Sequence, residues 1–275
     1  MKKKWPDELG PALNNNFLRQ LIDKVIPYSE TSVIAILIQV LCAFGNVVGL
    51  SPFLRIGADI HRPILFIAIV GNSAKARKGS SWAIVRLLFS LVAELWSKER
   101  QITGLSSSEG LIELVRDPRE PRNGNDEGDS GVLDKRLFIQ ESEFTSIIKN
   151  FGRTNNKLSE TLRNAWDGYK LQNVTKTNPM TATNPTISIA AHVTESDLSR
   201  HLNENEMANG FGNRFQWYVS KRSKKIPSPK AMDAEYFQDE AKLLKEIIEH
   251  SSNIKEVKKS SEAEALWKHS YSRPD

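Results

Sequence analysis

A lysine, a glycine and two serines stand together shortly after an apolar run of six residues. The run covers positions 65–70, and the sequence Lys-Gly-Ser-Ser occupies positions 78–81. Glycines let backbone N–H groups surround phosphates, a lysine reaches the outer phosphates, and a Ser or Thr hydroxyl binds Mg²⁺. The segment therefore predicts a phosphate-binding loop for ATP and Mg²⁺, in which Lys78 contacts phosphate and Ser80 or Ser81 binds the metal ion.

The spacing of this loop departs from the usual G-x-x-x-x-G-K-[ST] pattern. Seven positions separate Gly71 from Lys78, and the order Lys-Gly-Ser replaces Gly-Lys-Ser. A basic surface loop between a strand and a helix is the alternative interpretation. The apolar run before the loop and the amphipathic run after it favour phosphate binding. The predicted nucleotide-binding residues are Gly71, Asn72, Ser73, Arg77, Lys78, Gly79, Ser80 and Ser81.

Two glutamates follow a second apolar run. Residues 135–140 predict a strand, and Glu141 and Glu143 come at its end. A P-loop ATPase needs one carboxylate near the magnesium ion and another that polarises the attacking water. We therefore predict that both glutamates are catalytic and that Glu141 and Ser80 bind the metal ion. A solvated strand end is the alternative.

A histidine and an arginine adjoin two further predicted strands. His192 follows the strand at 186–191, where a polar side chain would sense the outer phosphate; an ordinary structural histidine is the alternative. Arg214 precedes the strand at 215–219, and we predict that it acts as a finger inserted into a neighbouring subunit's site. The alternative for Arg214 is a structural arginine paired with a carboxylate.

These side chains depend on a sheet whose strands end at one edge. In parallel sheets the carboxyl ends meet at the same edge, so the strands at 65–70, 135–140 and 186–191 would bring their polar ends together. A hairpin is predicted at 169–183 and a loop without periodicity at 118–134. Apolar spacing predicts helices at 17–26, 33–44 and 82–96, in two parts of 144–166, and at 236–249 and 260–271.

Composition describes an ordinary globular chain with a basic balance. The 275 residues are 39% hydrophobic and 26% charged, with a formal net charge of +5, which is compatible with a polyanionic partner but does not require one. The single cysteine, Cys42, fits a reducing cytoplasm. No secretory signal is visible, and the apolar stretch 33–50 contains Gln39 and Asn46. We therefore predict a buried helix there, no membrane association and a cytoplasmic location.

Two phrases of the sequence resemble a known family. The segment 70–82 and the phrase Gly-Phe-Gly-Asn-Arg-Phe at 210–215 are similar to motifs of the primase-associated, helicase-like P-loop ATPases of phages, plasmids and genomic islands. The resemblance implies an α/β fold with a RecA-like or AAA+-like P-loop NTPase core at 60–220. It also implies an N-terminal helical layer at 1–59 and a C-terminal helical extension at 221–275. The resemblance assigns the Walker-B-like acidic site to Glu141 and Glu143.

The same resemblance implies an ATP-dependent DNA helicase or translocase that serves replication of a mobile element. Its expected partners are single-stranded DNA, further copies of the chain in a ring-shaped homo-oligomer, and a primase or polymerase. Further helices after residue 275 are expected, because the chain looks cut short. Two alternatives remain open: a nucleotide-binding switch or scaffold with little hydrolysis, and a DNA-binding accessory without a nucleotide site.

Overall fold

A parallel sheet forms the centre of the fold. The structure is a computed structural model that describes residues 16–72, 77–121, 127–151, 156–175, 179–202 and 209–271. The strands are β1 (Phe53–Ile56), β2 (Asp59–His61), β3 (Phe66–Val70), β4 (Gln101–Ile102), β5 (Arg136–Glu141), β6 (Leu171–Asn173), β7 (Met180–Ala182), β8 (Thr186–Val193), β9 (Phe215–Val219) and β10 (Glu256–Val257). The helices are α1 (Phe17–Val25), α2 (Val33–Val48), α3 (Lys78–Val92), α4 (Glu94–Glu99), α5 (Ser108–Glu113), α6 (Phe144–Phe151), α7 (Leu158–Trp166), α8 (Glu195–His201), α9 (Gln238–Ser252) and α10 (Ser261–Tyr271).

The central sheet has the strand order β4-β5-β8-β3-β9, and every neighbouring pair is parallel. All residues of β3 and β8 are buried, because helices cover both faces of the sheet. The predicted α/β class is confirmed, and the sheet is compatible with a RecA-like core.

The chain changes direction across the sheet at β3. After β3 it crosses to β4 at the far edge, returns through β5 and β8, and then passes to β9 on the other side of β3. Helix α3 packs on one face, together with α1, α2 and α9, whereas α5, α6 and α7 pack on the opposite face. Ligands of open α/β sheets bind at such a switch point, outside the carboxyl ends of the strands. The crevice between the ends of β3 and β8 is therefore the expected place for a site.

Helix α2 lies against the sheet and is buried on nearly all sides. A side chain at Gly45 would collide with the carbonyl of Pro63, so glycine permits this close approach. The Asn46 amide donates to the carbonyl oxygens of Leu137 at 3.2 Å and Thr186 at 3.0 Å, which ties the helix to two strands. The predicted buried helix is confirmed, and none of the helices in the described ranges has the length and apolar character needed to cross a membrane.

The C-terminal part packs on the same helical layer. Phe237, Ala241 and Leu244 join the hydrophobic cluster of α1, α2 and α3. Strand β10 pairs with β1, which also pairs with β2, in a small separate sheet. The predicted division at residues 59 and 220 stays a prediction, although both flanking segments contribute side chains to the core cluster.

Several predicted boundaries were wrong by a few residues. Helix α3 begins at Lys78, four residues before the predicted start, and the expected single helix to residue 96 is interrupted at Ala93. Strand β5 includes Glu141, and β8 continues to Val193, so that His192 lies inside the strand. The predicted hairpin is confirmed as the antiparallel pair β6 and β7. In the predicted loop 118–134, residues 119 and 129 form an antiparallel bridge.

Candidate functional site

A cleft of about 510 Å³ opens at the carboxyl ends of β3, β5 and β8. Its walls come from the residues that follow these strands and from the first turns of α3, α6 and α8. Most of the predicted site residues in the described ranges meet here, namely Asn72, Arg77, Lys78, Gly79, Ser80, Glu143 and His192. Ser73 lies outside the described residues. These residues therefore lie around one concavity at the strand ends, and their roles stay predictions.

Lys78 is held at the edge of the sheet. Its Nζ donates to the carbonyl oxygen of Gly71, whose N–H donates to the carbonyl of Val193 at 3.0 Å. Partial burial lowers the pKa of the Lys78 ammonium, and the nearby Asp197 carboxylate opposes that shift. The ammonium is thus placed beside the strand end that leads into the loop, in a partly desolvated position where a charge interacts strongly with an anion.

The start of α3 faces the same cleft. Arg77 has a left-handed backbone (φ 51°) that turns the chain into the helix, and no described side chain caps the first turn. The first N–H groups of a helix have no intrahelical acceptor, and together with the helix dipole they favour an anion. The Arg77 guanidinium lies at the rim and its Nε donates to Glu30 at 2.7 Å.

The two serines of the loop have different surroundings. Ser80 is exposed and lines the cleft. Ser81 is fully buried; its hydroxyl donates to the carbonyl of Lys78 at 2.6 Å and accepts from Gln39 Nε2 at 2.8 Å. Of the two hydroxyls predicted for the metal ion, only that of Ser80 is open to a ligand.

His192 is joined to the same buried chain of hydrogen bonds. The Gln39 amide nitrogen donates to the carbonyl of Ala35 at 2.5 Å and to Ser81, so its oxygen must accept from His192 Nε2 at 3.1 Å. Burial, aided by the charge of Lys78, lowers the pKa of His192 to about 4. The ring is therefore neutral at pH 7, and because its one N–H is used, its other nitrogen can only accept.

The two predicted catalytic glutamates point to different places. Glu143 follows β5 and lines the cleft, whereas Glu141 is 3% exposed and is absent from the cleft wall. One oxygen of Glu141 accepts from the backbone N–H groups of Gly104 at 2.5 Å and Leu105 at 3.0 Å. Because Glu141 is the last residue of the strand, side-chain alternation directs it to the same face as Ile139. In this arrangement Glu141 holds the loop after β4.

Arg214 lies at the opposite end of the sheet from the cleft, because it precedes β9. Its guanidinium donates to Asp167 at 2.7 Å and to the carbonyl of Gly210 at 2.8 Å, and lies 5.7 Å from the ring centre of Trp166. Within one chain, Arg214 therefore pairs with a carboxylate, as expected for a structural arginine. A contact between Arg214 and a nucleotide would require the cleft of another copy.

Some residues that line the cleft were not predicted from the sequence. Lys149 of α6 and Asp197 of α8 both line it. Thr194 is the N-cap of α8: its hydroxyl accepts from the Asp197 N–H at 3.1 Å and donates to the Asp197 carboxylate at 2.6 Å. The Thr-x-x-Asp spacing was a recognisable capping signal directly after the third predicted strand end. No pattern in the sequence singled out Lys149.

The donor set of the cleft suits Mg²⁺ that is bound mainly through a substrate. In the described ranges, no three Asp, Glu, His or Cys side chains cluster as a cation site. Magnesium in nucleotide enzymes is held by one or two protein oxygens together with phosphates and water. Ser80 and Glu143 supply side-chain oxygens of that kind, next to the cationic groups of the loop.

Neither the models of protein families nor the curated proteins gave a match to this chain.

Proposed function

We propose that the chain is a Mg²⁺-dependent ATPase of the helicase-like type, acting on DNA in the replication of a mobile element. The observation that carries this proposal is the meeting of Lys78, the uncapped start of α3 and the carboxylate of Glu143 in one cleft. A cation, a set of backbone N–H groups and an acidic group at the switch point of a parallel sheet are what binding and hydrolysis of a nucleoside triphosphate require.

Five residues of the cleft have a defined part in this proposal. Lys78 and the first N–H groups of α3 bind the outer phosphates, and Arg77 contacts them from the rim. Bound Mg²⁺ supplies positive charge next to the phosphates, with Ser80 as its protein ligand. Glu143 orients the attacking water and accepts its proton. His192, a neutral acceptor joined to Gln39, positions the first turn of α3 and receives a hydrogen bond from water or from Lys78.

Arg214 connects the proposed activity to the oligomer. It lies at the end of the sheet away from its own cleft, so a ring of identical chains would have to bring Arg214 of one copy to the cleft of the next. An arginine placed in this way neutralises charge on the transferred phosphoryl group. The proposed partners are the same as those implied by the resemblance: single-stranded DNA, further copies of the chain, and a primase or polymerase.

The second candidate is a nucleotide-dependent switch with little hydrolysis. Glu141 is engaged with two backbone N–H groups, and His192 has no second N–H to offer a phosphate. Among the described residues, the cleft of one copy therefore has Glu143 as its proposed catalytic carboxylate and Arg77 as its one arginine. Such a chain would bind nucleotide and turn it over slowly.

The test begins with binding of Mg²⁺–ATP to the wild-type chain and to Lys78→Ala, measured by isothermal titration calorimetry. The control is Lys245→Ala, an exposed lysine of α9 that does not line the cleft. We expect affinity to fall about 100-fold or more in Lys78→Ala and to be unchanged in the control. Equal affinity in both variants, or no binding to the wild type, would contradict the proposal. DNA binding that depends on salt but is not altered by ATP would then favour the alternative of a DNA-binding accessory without a nucleotide site.

Turnover separates the ATPase from the switch. We expect DNA-stimulated hydrolysis in the wild type, and loss of it in both Glu143→Gln and Arg214→Ala. Mixing the two variants should restore part of the activity, because some interfaces then combine an intact Glu143 with an intact Arg214. Tight ATP binding with no hydrolysis in the wild type, with or without DNA, would instead establish the switch.

A further inference from the structure

A second cleft, of about 400 Å³, adjoins the proposed phosphate cleft. The two share Arg77 and Ser80, at the start of α3, so they lie side by side. The inner wall of the second cleft is α3, and its outer wall is the segment 226–232. The side chains that line it are largely apolar, among them Ile84, Leu87, Ile226, Pro227 and Met232.

The two clefts differ in the chemistry that they offer. The phosphate cleft has Lys78, Lys149 and Glu143 on its walls, whereas the second cleft is lined mainly by hydrocarbon, with Glu30, Arg77 and Lys230 as its charged residues. A nucleotide has the same division, with a polyanion at one end and a flat, weakly polar heteroaromatic base at the other. Small-molecule sites commonly combine an apolar wall with a few polar groups that fix orientation. We propose that the second cleft binds the base and ribose of the nucleotide whose phosphates occupy the first.

The outer wall of this base cleft is fastened to the rim of the phosphate cleft by Glu30. One oxygen of its carboxylate accepts from the backbone N–H of Ile226 at 2.8 Å, and the other accepts from Arg77 at 2.7 Å. The backbone carbonyl of Glu30 also accepts from the N–H of Ser223 at 3.1 Å. Because the same residue holds both walls, the width of the base cleft is set next to the place where phosphate would bind.

The far end of the base cleft is aromatic. The Lys230 ammonium lies 5.3 Å from the ring centre of Tyr28 and 5.4 Å from that of Tyr236. The rings of Tyr28 and Tyr236 meet edge to face, with their centres 6.3 Å apart. The Ser29 and Thr31 hydroxyls, on either side of Glu30, are bonded to each other at 3.0 Å. The aromatic end suits a flat uncharged ring.

This inference rests on the proposed nucleotide site, and it is tested by a ligand that has phosphates but no base. Binding of Mg²⁺–ATP and of Mg²⁺–tripolyphosphate to the wild-type chain is compared by calorimetry. We expect ATP to bind at least about tenfold more tightly, because burial of the base on apolar walls adds affinity. Equal affinity for the two would overturn the base cleft and leave the phosphate site standing. Binding of neither ligand would overturn both.

A pair of variants on the outer wall sharpens the test. Met232→Glu places a carboxylate in the base cleft, and Ser228→Glu adds the same charge on the same segment at a residue that does not line it. We expect Met232→Glu to weaken ATP about tenfold more than Ser228→Glu does, and both variants to bind tripolyphosphate alike. If Met232→Glu weakens ATP and tripolyphosphate by the same factor, the base does not lie there. Thermal unfolding checks that both variants are folded.

Discussion

Charged side chains at the two ends of the central sheet differ in whether they have partners within the chain. At the amino end, Arg136 pairs with Asp134 at 2.7 Å and Lys135 pairs with Asp117 at 2.8 Å. At the carboxyl end, the side chains of Glu143 and Lys149 line the cleft without a hydrogen-bond or ion-pair partner among the described residues, although Arg77 at the rim pairs with Glu30.

This difference separates charged side chains that stabilise the folded chain from charged side chains that are available to bind a ligand. In a partly buried ion pair each charge is matched within the folded chain, and removing one partner leaves the other unpaired. A charge at a cleft edge without a partner contributes little to folding and is available to bind. Mutations of Arg136, Lys135 and their partners should therefore change stability, and mutations of Glu143 and Lys149 should change ligand binding.

His192 should produce the largest effect, because it lies at the cleft but is buried and bonded like the groups of the amino end. Its folded pKa is about 4, against 6.5 for an ordinary histidine. Between these values the unfolded chain binds a proton that the folded chain does not, so stability falls as the pH falls from about 6.5 to about 4. The expected total is roughly 3 kcal/mol, of which about 2 is lost by pH 5. Urea unfolding at pH 7, 6 and 5 measures this loss.

The control for this effect is His192→Gln, which keeps an N–H donor toward Gln39 and cannot titrate. We expect the variant to lose much less stability between pH 6.5 and pH 5 than the wild type does. Parallel curves for the two proteins in this window would show that His192 is not buried in the neutral form.

Asp117→Ala should destabilise the fold by about 2 kcal/mol, because this carboxylate accepts from Lys135 and from both the N–H and the hydroxyl of Thr183. The matched change at the other end, Glu143→Ala, should alter the free energy of unfolding by less than about 0.5 kcal/mol. Urea unfolding at pH 7 measures both. Similar losses in the two variants would abolish the distinction between the ends of the sheet.

Lys149→Ala should weaken binding of Mg²⁺–ATP by about tenfold, since one charge-assisted contact is lost. Its thermal midpoint should stay the same, because the lysine has no partner in the described part of the chain. Lys245→Ala is again the control for the removal of one positive charge. An unaltered ATP affinity in Lys149→Ala would remove this lysine from the site.

Glu30→Gln should have the smallest effect. The change removes the charge that competes for Arg77 but leaves an oxygen that accepts from the Ile226 N–H, so the base cleft keeps its wall. We expect the affinity for tripolyphosphate to rise by about threefold, as is typical of a solvent-accessible pair. A decrease would mean that Glu30 positions Arg77 for phosphate and does not compete with phosphate for it.

Apolar patterning was sufficient to predict β3, β8 and the buried helix α2, because a continuous apolar run indicates burial without knowledge of the segments that pack against it. The cleft also followed from the sequence, since strands in one parallel sheet must end at the same edge. The orientation of the Glu141 side chain did not follow from the sequence, because the predicted strand ended at residue 140. Inclusion of Glu141 in β5 places its side chain on the same face as Ile139. Lys149 and the pairing of β1 with β10 depend on contacts between segments far apart in the chain, which local patterns do not record.

Strand β8 makes a stiff mechanical connection across the molecule. Its eight residues span about 26 Å at about 3.3 Å per residue, and every one of them is buried between hydrogen-bonded neighbours. His192 lies near one end, and the hairpin of β6 and β7, with exposed Val174 beyond β6, adjoins the other. The strand therefore joins the cleft and the hairpin, on opposite sides of the sheet, through one continuously hydrogen-bonded element.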